Sequence, residues 1–365
     1  KECKARFRAD NLIEAHSKGK VNPDTMTNEE MEAYIAEHKV ACPNCGKHNW
    51  TPIRTFNLMF ETSRGVTDES QNKIYLRPET AQGEFVNFLN VQRTTRAKVP
   101  FGIAQIGKAF RNEITPGNFI FRTIEFEQME HQWFCKEGTD QEYYAEYKKR
   151  AWQFLLDLGF KEEHLRFHDH DKLAHYAKAA CDIQYDFPMG WSELNGIHNR
   201  TDYDLSRHQE YSGKSMTYVD PVTQERYIPY VIEYSIGADR LMLAALSEAY
   251  DEETLENGEV RNVMRFHPAI AAYKAAVLPL QKGLAPQAKE LLQKLKKHFL
   301  VTYDEAGSIG KRYRRQDEIG TPYCLTVDFD TLQDGTVTVR DRDTMEQVRM
   351  TADEVVAFLT EKCAF

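Results

Sequence analysis

Two aromatic-rich segments joined by a short polar loop constrain the fold of this chain more than any other feature. The first segment runs from Gln105 to Glu113, and the second, from Phe121 to Phe134, returns through apolar and aromatic residues. Side chains alternate between the two faces of a strand, so Arg111 and Glu113 share one face of the first segment. Pro116-Gly117-Asn118 supplies residues typical of a turn. We therefore predict a long antiparallel hairpin.

The predicted hairpin gathers groups of complementary chemistry on one surface. On the returning strand the same alternation places Arg122, Phe126, Gln128 and Glu130 on one face. A guanidinium, an aromatic ring and carboxylates side by side suit an ATP phosphate, an adenine ring and a cationic amine. The alternative for a generic hairpin of this kind is a sheet face of exposed ion pairs, which are common and individually weak.

Four further segments share a family resemblance with this hairpin. They are Phe56-Asn57-Leu58-Met59-Phe60, Leu76 to Gly83, Glu193-Leu194 with Arg200 to Leu205, and Glu233 to Arg240. Phe110-Arg111-Asn112-Glu113 with Glu125-Phe126 resembles motif 2 of the class II aminoacyl-tRNA synthetases. The set as a whole resembles the glycyl-tRNA synthetase family of that class. The matches follow the family's order and cover nearly the whole chain.

The resemblance implies an α+β fold. In this fold, the class II antiparallel sheet with flanking helices is followed by a C-terminal α/β anticodon-binding domain. The last part of the chain has the size of an ordinary domain. The expected divisions are 1–55, the N-terminal part of the catalytic region with an insertion; 56–136, the first part of the catalytic core; 137–182, a helical insertion; 183–266, the second part of the core; and 267–365, the anticodon-binding domain.

The implied activity is that of a glycine–tRNA ligase, which activates glycine with ATP to glycyl-adenylate and transfers glycine to the 3′ end of tRNA-Gly. The expected partners are tRNA-Gly, glycine and ATP with Mg²⁺. A homodimer is implied by kinship alone, because motif 1, which supplies much of the dimer interface, would lie before Lys1. Two alternatives stay open: a noncatalytic synthetase-like accessory subunit that binds nucleic acid, and a synthetase for another small amino acid.

Arg111 and Arg240 are the predicted catalytic residues. The planar fork of Arg111 can bind the α-phosphate and the amino-acid carboxylate together, and Arg240 matches the motif 3 arginine that reaches the terminal phosphates. Glu193 is the predicted Mg²⁺ ligand, because this ion favours one or two carboxylates together with phosphate oxygens. The resemblance assigns ATP binding to Arg111, Asn112, Glu113, Phe121, Arg122, Phe126, Glu193, Leu194, Gly237, Asp239 and Arg240.

Selection of glycine rests on a second set, in which carboxylates would receive the ammonium group. The resemblance assigns it Arg8, Glu79, Phe126, Gln128, Glu130, Arg200, Glu233 and Ser235. Like charges in a poorly hydrated pocket repel one another. We therefore predict that at least one of Glu79, Glu130 and Glu233 has a raised pKa in the free protein.

A basic run in the last third of the chain suits contact with RNA. Lys311-Arg312-Tyr313-Arg314-Arg315 combines cations for phosphates with a tyrosine for base stacking. Considered by itself, a run of basic residues is more often a solvent-exposed helix face than an RNA contact. Within the expected anticodon-binding domain, we predict that tRNA binds Lys311, Arg312, Arg314 and Arg315.

Charge and apolar content limit the class of protein. The net charge of -9 argues against nonspecific coating of nucleic acid, whereas local basic patches still allow a tRNA partner. No apolar run approaches the ~18 residues of a membrane span, and the beginning is neither basic nor hydrophobic. We expect a cytoplasmic protein without a membrane partner.

Two groups of residues could bind a metal ion, but each also has a simpler interpretation. Cys42-Pro43-Asn44-Cys45 has zinc-knuckle spacing, with Cys3 and His48 nearby in sequence, but structural zinc usually takes two such pairs. A tight turn with free thiols is the favoured interpretation, with Zn²⁺ as the alternative. For His164, His168, His170 and His175 we favour a solvated insertion over a metal site, because no acidic or cysteine set accompanies them.

Residue patterns predict further elements. Gln141 to Leu158 is typical of an amphipathic helix and Asp239 to Leu246 of an apolar helix, and Gly258 and Pro268 bracket a predicted linker. Beyond it we predict strand Ala275–Leu278, a helix with Ala288, Leu291, Leu292, Leu295 and Phe299 on one face, strands Leu300–Tyr303, Tyr323–Phe329 and Thr336–Arg340, and a helix Ala352–Leu359.

Overall fold

A computed structural model describes residues 2–54, 56–67, 72–171 and 173–365. The chain divides into two compact units: the residues up to Thr80 with Gly107–Glu127, and Ala81–Ile106 with Gln128–Phe365. No helix in these described ranges is both long enough and apolar enough to cross a membrane.

The helices have the following bounds: α1 Ala9–Ser17, α2 Asn28–Glu37, α3 Ala81–Thr95, α4 Asp140–Asp157, α5 Tyr203–Ser212, α6 Ala238–Ala249, α7 Ala285–Leu295, α8 Ile309–Ile319, α9 Thr331–Asp334 and α10 Ala352–Lys362. The strands are β1 Glu61–Arg64, β2 Asn72–Tyr75, β3 Phe101–Phe110, β4 Glu125–Cys135, β5 Leu165–Asp169, β6 Ala179–Phe187, β7 Gly190–Thr201, β8 Tyr218–Val219, β9 Arg226–Tyr227, β10 Tyr230–Gly237, β11 Tyr250–Thr254, β12 Val260–Met264, β13 Ala275–Pro279, β14 Val301–Tyr303, β15 Tyr323–Val327, β16 Thr336–Asp341 and β17 Gln347–Thr351.

A six-stranded sheet in the order β3-β4-β10-β7-β6-β5 forms the centre of the fold. The pairs β4/β10, β10/β7, β7/β6 and β6/β5 are antiparallel. Aromatic rings of α3, β3 and β4 pack together, with 4.6 Å between the ring centroids of Phe88 and Phe134 and 5.4 Å between those of Phe101 and Phe134. The antiparallel sheet with flanking helices confirms the predicted fold class.

The predicted hairpin is present, but the connection between its strands is longer than expected, because β3 ends before Arg111 and β4 begins only at Glu125. Strand β3 ends at Phe110, so Arg111 and Glu113 lie in the connection and not on the strand itself. Within that connection, Gly117 and Arg122 exchange backbone hydrogen bonds of 3.0 and 3.2 Å around a turn. Asn118 and Phe119 adopt positive φ angles of 54° and 55° there.

Two expectations about chain organisation were wrong. The segment 137–182 contains helix α4, but its strand β5 and the start of β6 belong to the central sheet, so it is not a separate helical insertion. The predicted linker between Gly258 and Pro268 holds strand β12, which pairs with β11. The strands concerned are short and pair with strands close in sequence, β5 with β6 and β12 with β11, and their polar residues gave no clear strand pattern. The remaining domain boundaries stay predictions.

The C-terminal part of the chain forms a five-stranded sheet in the order β14-β13-β15-β16-β17. Strand β13 pairs in parallel with β14 and β15, whereas β15/β16 and β16/β17 are antiparallel. Helix α7 buries Ala288, Leu291, Leu292 and Leu295 against this sheet. The elements predicted from 275 to 359 are all found, so the predicted α/β architecture of this region is confirmed.

A buried ion pair joins α8 to β16 in this C-terminal part. Arg340 donates from Nη1 and Nη2 to the two carboxylate oxygens of Asp317, at 2.9 and 3.2 Å, and Arg261 lies 3.7 Å from the same carboxylate. All three side chains are buried. Removing one partner of such a pair leaves an uncompensated buried charge.

We expect Asp317→Asn to lower the free energy of unfolding by about 3 kcal/mol, because the buried Arg340 loses its counter-charge while Arg261 keeps its 3.1 Å pair with Glu253. The measurement is urea unfolding of the full chain followed by circular dichroism. The matched control is Asp353→Asn, which removes an exposed 2.7 Å pair with Lys294 and should cost less than about 1 kcal/mol. Equal losses in the two variants would contradict this assignment.

Candidate active site

Arg111 is anchored at the point where strand β3 ends. Its Nε donates to the Pro78 carbonyl at 3.0 Å, and its guanidinium carbon lies 5.4 Å from the centroid of the Phe126 ring. The backbone N–H of Arg111 donates to the Ile124 carbonyl at 2.9 Å. The guanidinium is therefore fixed beside an aromatic ring, in an arrangement that a flexible lysine ammonium would not reproduce.

Asn112 and Glu113 continue this arrangement. Asn112 donates from its backbone to the Leu58 carbonyl at 2.8 Å and from its side chain to the Asn57 carbonyl at 3.1 Å. Arg122 lies 3.2 Å from the Glu113 carboxylate. Together with the bond from Arg111 to Pro78, these contacts join three of the segments on which the family resemblance rests.

The register of strands β4, β10 and β7 aligns polar side chains on one face of the central sheet. Residues directly opposite one another on antiparallel strands point to the same face, and the next row on that face lies two residues along. The two rows are Gln132, Glu233 and His198, and then Glu130, Ser235 and Gly196. The sheet thus presents two neighbouring rows that each contain a buried carboxylate.

Glu233 is at the centre of the first row, surrounded by donors. Gln132 and Arg200 donate to its Oε2 at 2.9 and 2.8 Å, and His198 Nδ1 lies 2.9 Å from its Oε1. Arg200 also makes a two-point ion pair with Asp204, at 2.8 and 3.0 Å. Glu233 is therefore already bonded to protein groups.

The charges around Glu233 reverse the pKa direction expected for a buried acid. Burial raises its pKa, but the Arg200 guanidinium and the hydrogen bonds from His198 and Gln132 outweigh burial and hold the pKa of Glu233 well below its usual value. Burial lowers the pKa of His198, yet the adjacent Glu233 carboxylate raises it on balance. The raised pKa that we predicted within the acidic set is thus not found at Glu233.

Glu130 in the second row accepts hydrogen bonds from two neutral side chains. Ser235 Oγ and Gln128 Nε2 donate to its Oε1 at 3.2 and 3.3 Å, and the residue is 4% exposed. Neither donor carries a charge. A cationic group entering beside Glu130 would therefore interact with a nearly buried carboxylate.

Glu84 is a residue of this cluster that the sequence analysis missed. It lies in the first turn of α3, it is 2% exposed, and no side chain among the described residues donates a hydrogen bond to its carboxyl oxygens. Burial raises the pKa of Glu84 to about 9, and the charges of Glu130 and Glu233 add to that effect. Acidic residues are common in the first turn of a helix, so its position in the sequence gave no signal.

Arg240 occupies the first turn of α6, directly after the strand that carries Glu233 and Ser235. Its Nη1 lies 3.3 Å from the Glu193 carbonyl and 3.2 Å from the Glu193 carboxylate. The Glu193 side chain is 53% exposed. Leu194, in contrast, is 1% exposed, so its side chain packs in the core and only its backbone could meet a nucleotide.

The basic run on α8 differs from the sequence prediction at two positions. Arg312 is 4% exposed, and its guanidinium donates to the carbonyls of Pro279 and Gly307. Tyr313 packs against a buried cluster, and its hydroxyl lies 2.6 Å from Thr326 Oγ1. Helical periodicity turns these two side chains inward, so neither the phosphate contact of Arg312 nor base stacking by Tyr313 fits this structure. Lys311 is exposed, and Arg314 and Arg315 are half-buried.

The structure distinguishes the two groups of potential metal ligands, the histidines and the cysteines. Three of the four histidines for which we favoured a solvated insertion over a metal site contact other side chains: His164 contacts Glu248, His170 contacts Asp182 and His175 contacts Tyr203. Cys3, Cys42 and Cys45 are instead the one group within the described ranges whose ligand atoms converge as a metal would require.

Models of two protein families match this chain. The "tRNA synthetase class II core domain (G, H, P, S and T)" matches residues 60–249, and the "Anticodon binding domain" matches residues 274–362. These ranges contain the central antiparallel sheet and the C-terminal five-stranded sheet, respectively.

Curated relatives match the chain over its full length. Proteins named glycine–tRNA ligase from Clostridium kluyveri, Clostridium perfringens and Geobacillus kaustophilus are 62%, 61% and 60% identical to it, and each match covers 100% of this chain and 80% of the relative. Among solved structures, the RNA-binding domain of threonyl-tRNA synthetase from Cryptosporidium parvum Iowa II matches with a TM-score of 0.64 and 19% identity, over 84% of this chain and 79% of that one. That structure supports the fold alone.

The raised pKa of Glu84 predicts how its substitution depends on pH. Between the ordinary pKa of 4.5 and about 9 the folded protein holds a proton that the unfolded chain has lost, so this group's contribution to stability falls as pH rises. Glu84→Gln does not titrate. We expect its stability relative to wild type to increase from pH 6 to pH 9, by at most about 1.4 kcal/mol per pH unit.

Thermal unfolding at pH 6, 7.5 and 9 measures this difference. The control is Glu256→Gln at an exposed position, which should give a difference that does not change with pH. A pH-independent difference for Glu84→Gln would show that its carboxyl titrates normally.

Proposed function

This chain belongs to the glycine–tRNA ligase family of class II aminoacyl-tRNA synthetases, and we propose that it joins glycine to tRNA-Gly with the residues described above. In the first step the glycine carboxylate attacks the α-phosphorus of ATP, glycyl-adenylate forms and pyrophosphate leaves. In the second, a terminal ribose hydroxyl of the tRNA attacks the acyl carbon and AMP leaves.

The first step requires alignment and charge compensation more than it requires proton transfer. The attacking carboxylate is already ionised at neutral pH, so no general base is needed. Negative charge on the phosphates must be compensated while the attacking oxygen and the leaving pyrophosphate stay in line. Fixed guanidinium groups supply this compensation without reorganising during the reaction.

Arg111 is the proposed ligand of the α-phosphate. Support comes from its fixed position: the Pro78 carbonyl holds Nε, and the Phe126 ring packs against the guanidinium. Phe126 would stack on the adenine ring, and Glu113 would accept a hydrogen bond from the adenine amino group. Arg122, which lies beside Glu113, would bind the outer phosphates. Asn112 and Phe121 complete this proposed set. Asn112 would act through the backbone segment that it holds.

Arg240 is the proposed ligand of the terminal phosphates, with Gly237 and Asp239 framing the start of its helix. Its neighbour Glu193 offers an exposed hard oxygen donor, which is the ligand chemistry of Mg²⁺ bound to nucleotide phosphates. Bound with ATP, the ion would compensate phosphate charge. Before ATP binds, the ion pair of Glu193 and Arg240 keeps both groups in place.

Glu130 is the proposed ligand of the glycine ammonium group. The observation that carries this proposal is the position of this nearly buried carboxylate beside Ser235 and Gln128 and next to the further acids Glu84 and Glu233. An ammonium ion gains from this negative region, whereas a second anion would be repelled. Ser235 and Gln128 would fix the carboxylate orientation.

Glu233 and Arg200 are proposed as positioning residues and not as direct ligands of glycine. Their 2.8 Å ion pair, with His198 and Asp204 on either side, fixes the strand that carries Ser235. Glu79 and Arg8 stay in the proposed glycine set on the family resemblance alone.

Lys311, Arg314 and Arg315 are the proposed tRNA ligands of the C-terminal domain. All three lie on α8 and keep part of their surface accessible. A homodimer and a cytoplasmic location stay predictions from the family resemblance, and light scattering in solution tests the first.

Glycine-dependent exchange of pyrophosphate into ATP tests the activation step. Arg111→Lys should lower the exchange rate by about 10²-fold or more, because the ammonium group cannot reproduce the fork. The matched control is Lys108→Gln, which removes an exposed ion pair with Glu125 in the same hairpin and should change the rate less than about threefold.

The exchange assay also separates the alternative functions. No glycine-dependent exchange by the wild-type chain would favour a noncatalytic accessory protein. Faster exchange with serine, threonine or proline would reassign the substrate.

Glu130→Gln should change glycine binding and leave ATP binding nearly intact. Loss of a hydrogen bond to a charged group corresponds to about 10- to 100-fold, so the KM for glycine should rise by that factor while the KM for ATP changes less than about threefold. The control is Glu127→Gln, an exposed acid one strand position before Gln128. Equal changes in both KM values would contradict direct recognition of the ammonium group.

A further inference from the structure

Three cysteines from two distant segments of the chain come together near its beginning. The sulfurs of Cys3 and Cys42 lie 3.7 Å apart, and the three sulfurs of Cys3, Cys42 and Cys45 all lie within 4.8 Å of one another. Cys3 and Cys42 are 39 residues apart in sequence. Folding therefore creates this cluster, and the spacing of Cys42 and Cys45 alone supplies only two of its members.

The distance between Cys3 and Cys42 matches thiolates that share a metal ion. A tetrahedral site with zinc–sulfur bonds of about 2.3 Å places its sulfurs about 3.8 Å apart, whereas a disulfide would bring them to about 2.05 Å. We propose that Cys3, Cys42 and Cys45 bind one soft divalent metal ion, Zn²⁺, as a structural site.

The backbone around two of the thiols has the form that a metal knuckle requires. The N–H groups of Ala5 and Lys47 point to the sulfurs of Cys3 and Cys45, in both cases from two residues further along. Gly46 turns the chain with a φ of 69°, and its N–H donates to the Cys42 carbonyl at 2.8 Å. Backbone donors aimed at sulfur are outer contacts of the kind that orient ligands around a metal ion.

The charges lining the cleft suit a thiolate site. Lys4, Arg6 and Lys47 line it together with the cysteines, against the single acid Glu2. Three thiolates around one divalent ion carry a net negative charge, which these cations compensate. Thiolate ligands select zinc over the hard cations Mg²⁺ and Ca²⁺. The fourth position is open to water or to one further ligand.

The part of the chain around the three cysteines has a small hydrophobic core, which a bound metal ion would stabilise. Its buried core consists of Leu12, Ile13, Ile35 and Val40, with Trp50 packed against it. A core this small contributes little stability by itself, and a metal that joins distant residues compensates for that. Binding at Cys3 would fix the chain five residues before Arg8. The site would act on folding and would take no part in glycine activation.

Metal analysis of the full chain tests the proposal. The protein is purified without a metal-affinity tag, in reductant, and its zinc content is measured by inductively coupled plasma mass spectrometry. We expect about one zinc per chain in the wild type and in Cys363→Ser, a half-buried cysteine outside the cluster, and at least a fivefold loss in Cys45→Ser.

A second readout keeps the proposal testable if Cys45→Ser folds poorly. Wild-type protein reconstituted with Co²⁺ should show thiolate-to-cobalt charge-transfer absorption, and chelator should expose three additional thiols to alkylation, mapped to Cys3, Cys42 and Cys45. The proposal is overturned by wild-type protein that binds neither zinc nor cobalt, by equal zinc in Cys45→Ser, or by a Cys3–Cys42 disulfide in reductant-free mass spectra.

Discussion

The ion pair between Glu233 and Arg200 is the interaction on which the candidate glycine site depends. Both side chains are buried, and a buried charge is tolerated only where a partner and further hydrogen bonds replace water. Gln132 and His198, directly opposite Glu233 on the neighbouring strands, supply those bonds. The pairing register therefore fixes the electrostatics: a shift by one residue would turn these groups to the opposite face of the sheet.

The acids near this ion pair differ in protonation because their partners differ. Glu233 faces a guanidinium and an imidazole and is held ionised. Glu84, on helix α3, has no such partner among the residues that the structure describes, and its pKa of about 9 keeps it protonated at neutral pH. Neighbouring acids can thus share a poorly hydrated region without accumulating one negative charge each. A cation such as the glycine ammonium group would interact favourably with the buried acids of this region.

Buried arginines in the C-terminal part of the chain have a structural role. Arg312 binds the carbonyls of Pro279 and Gly307, and Arg340 pairs with Asp317 between α8 and β16. Basic residues in an expected RNA-binding domain therefore do not all face RNA. The amphipathic periodicity of α8 decides which of them point inward.

The sequence by itself determined the fold class, the family, the hairpin and the C-terminal elements, because these follow from local periodicity and from motifs that are contiguous in the chain. It also placed Gln128 and Glu130 on one face of a strand, because alternation along a strand can be read from adjacent residues. The roles assigned to Arg111, Glu130, Glu233 and Ser235 stay predictions. Only the tertiary structure decided that Glu84 joins the acids, that Arg200 is bonded to Glu233 and that Cys3 meets Cys42 and Cys45. Each of these depends on burial or on contact between distant segments, and neither property is encoded in the spacing of neighbouring residues.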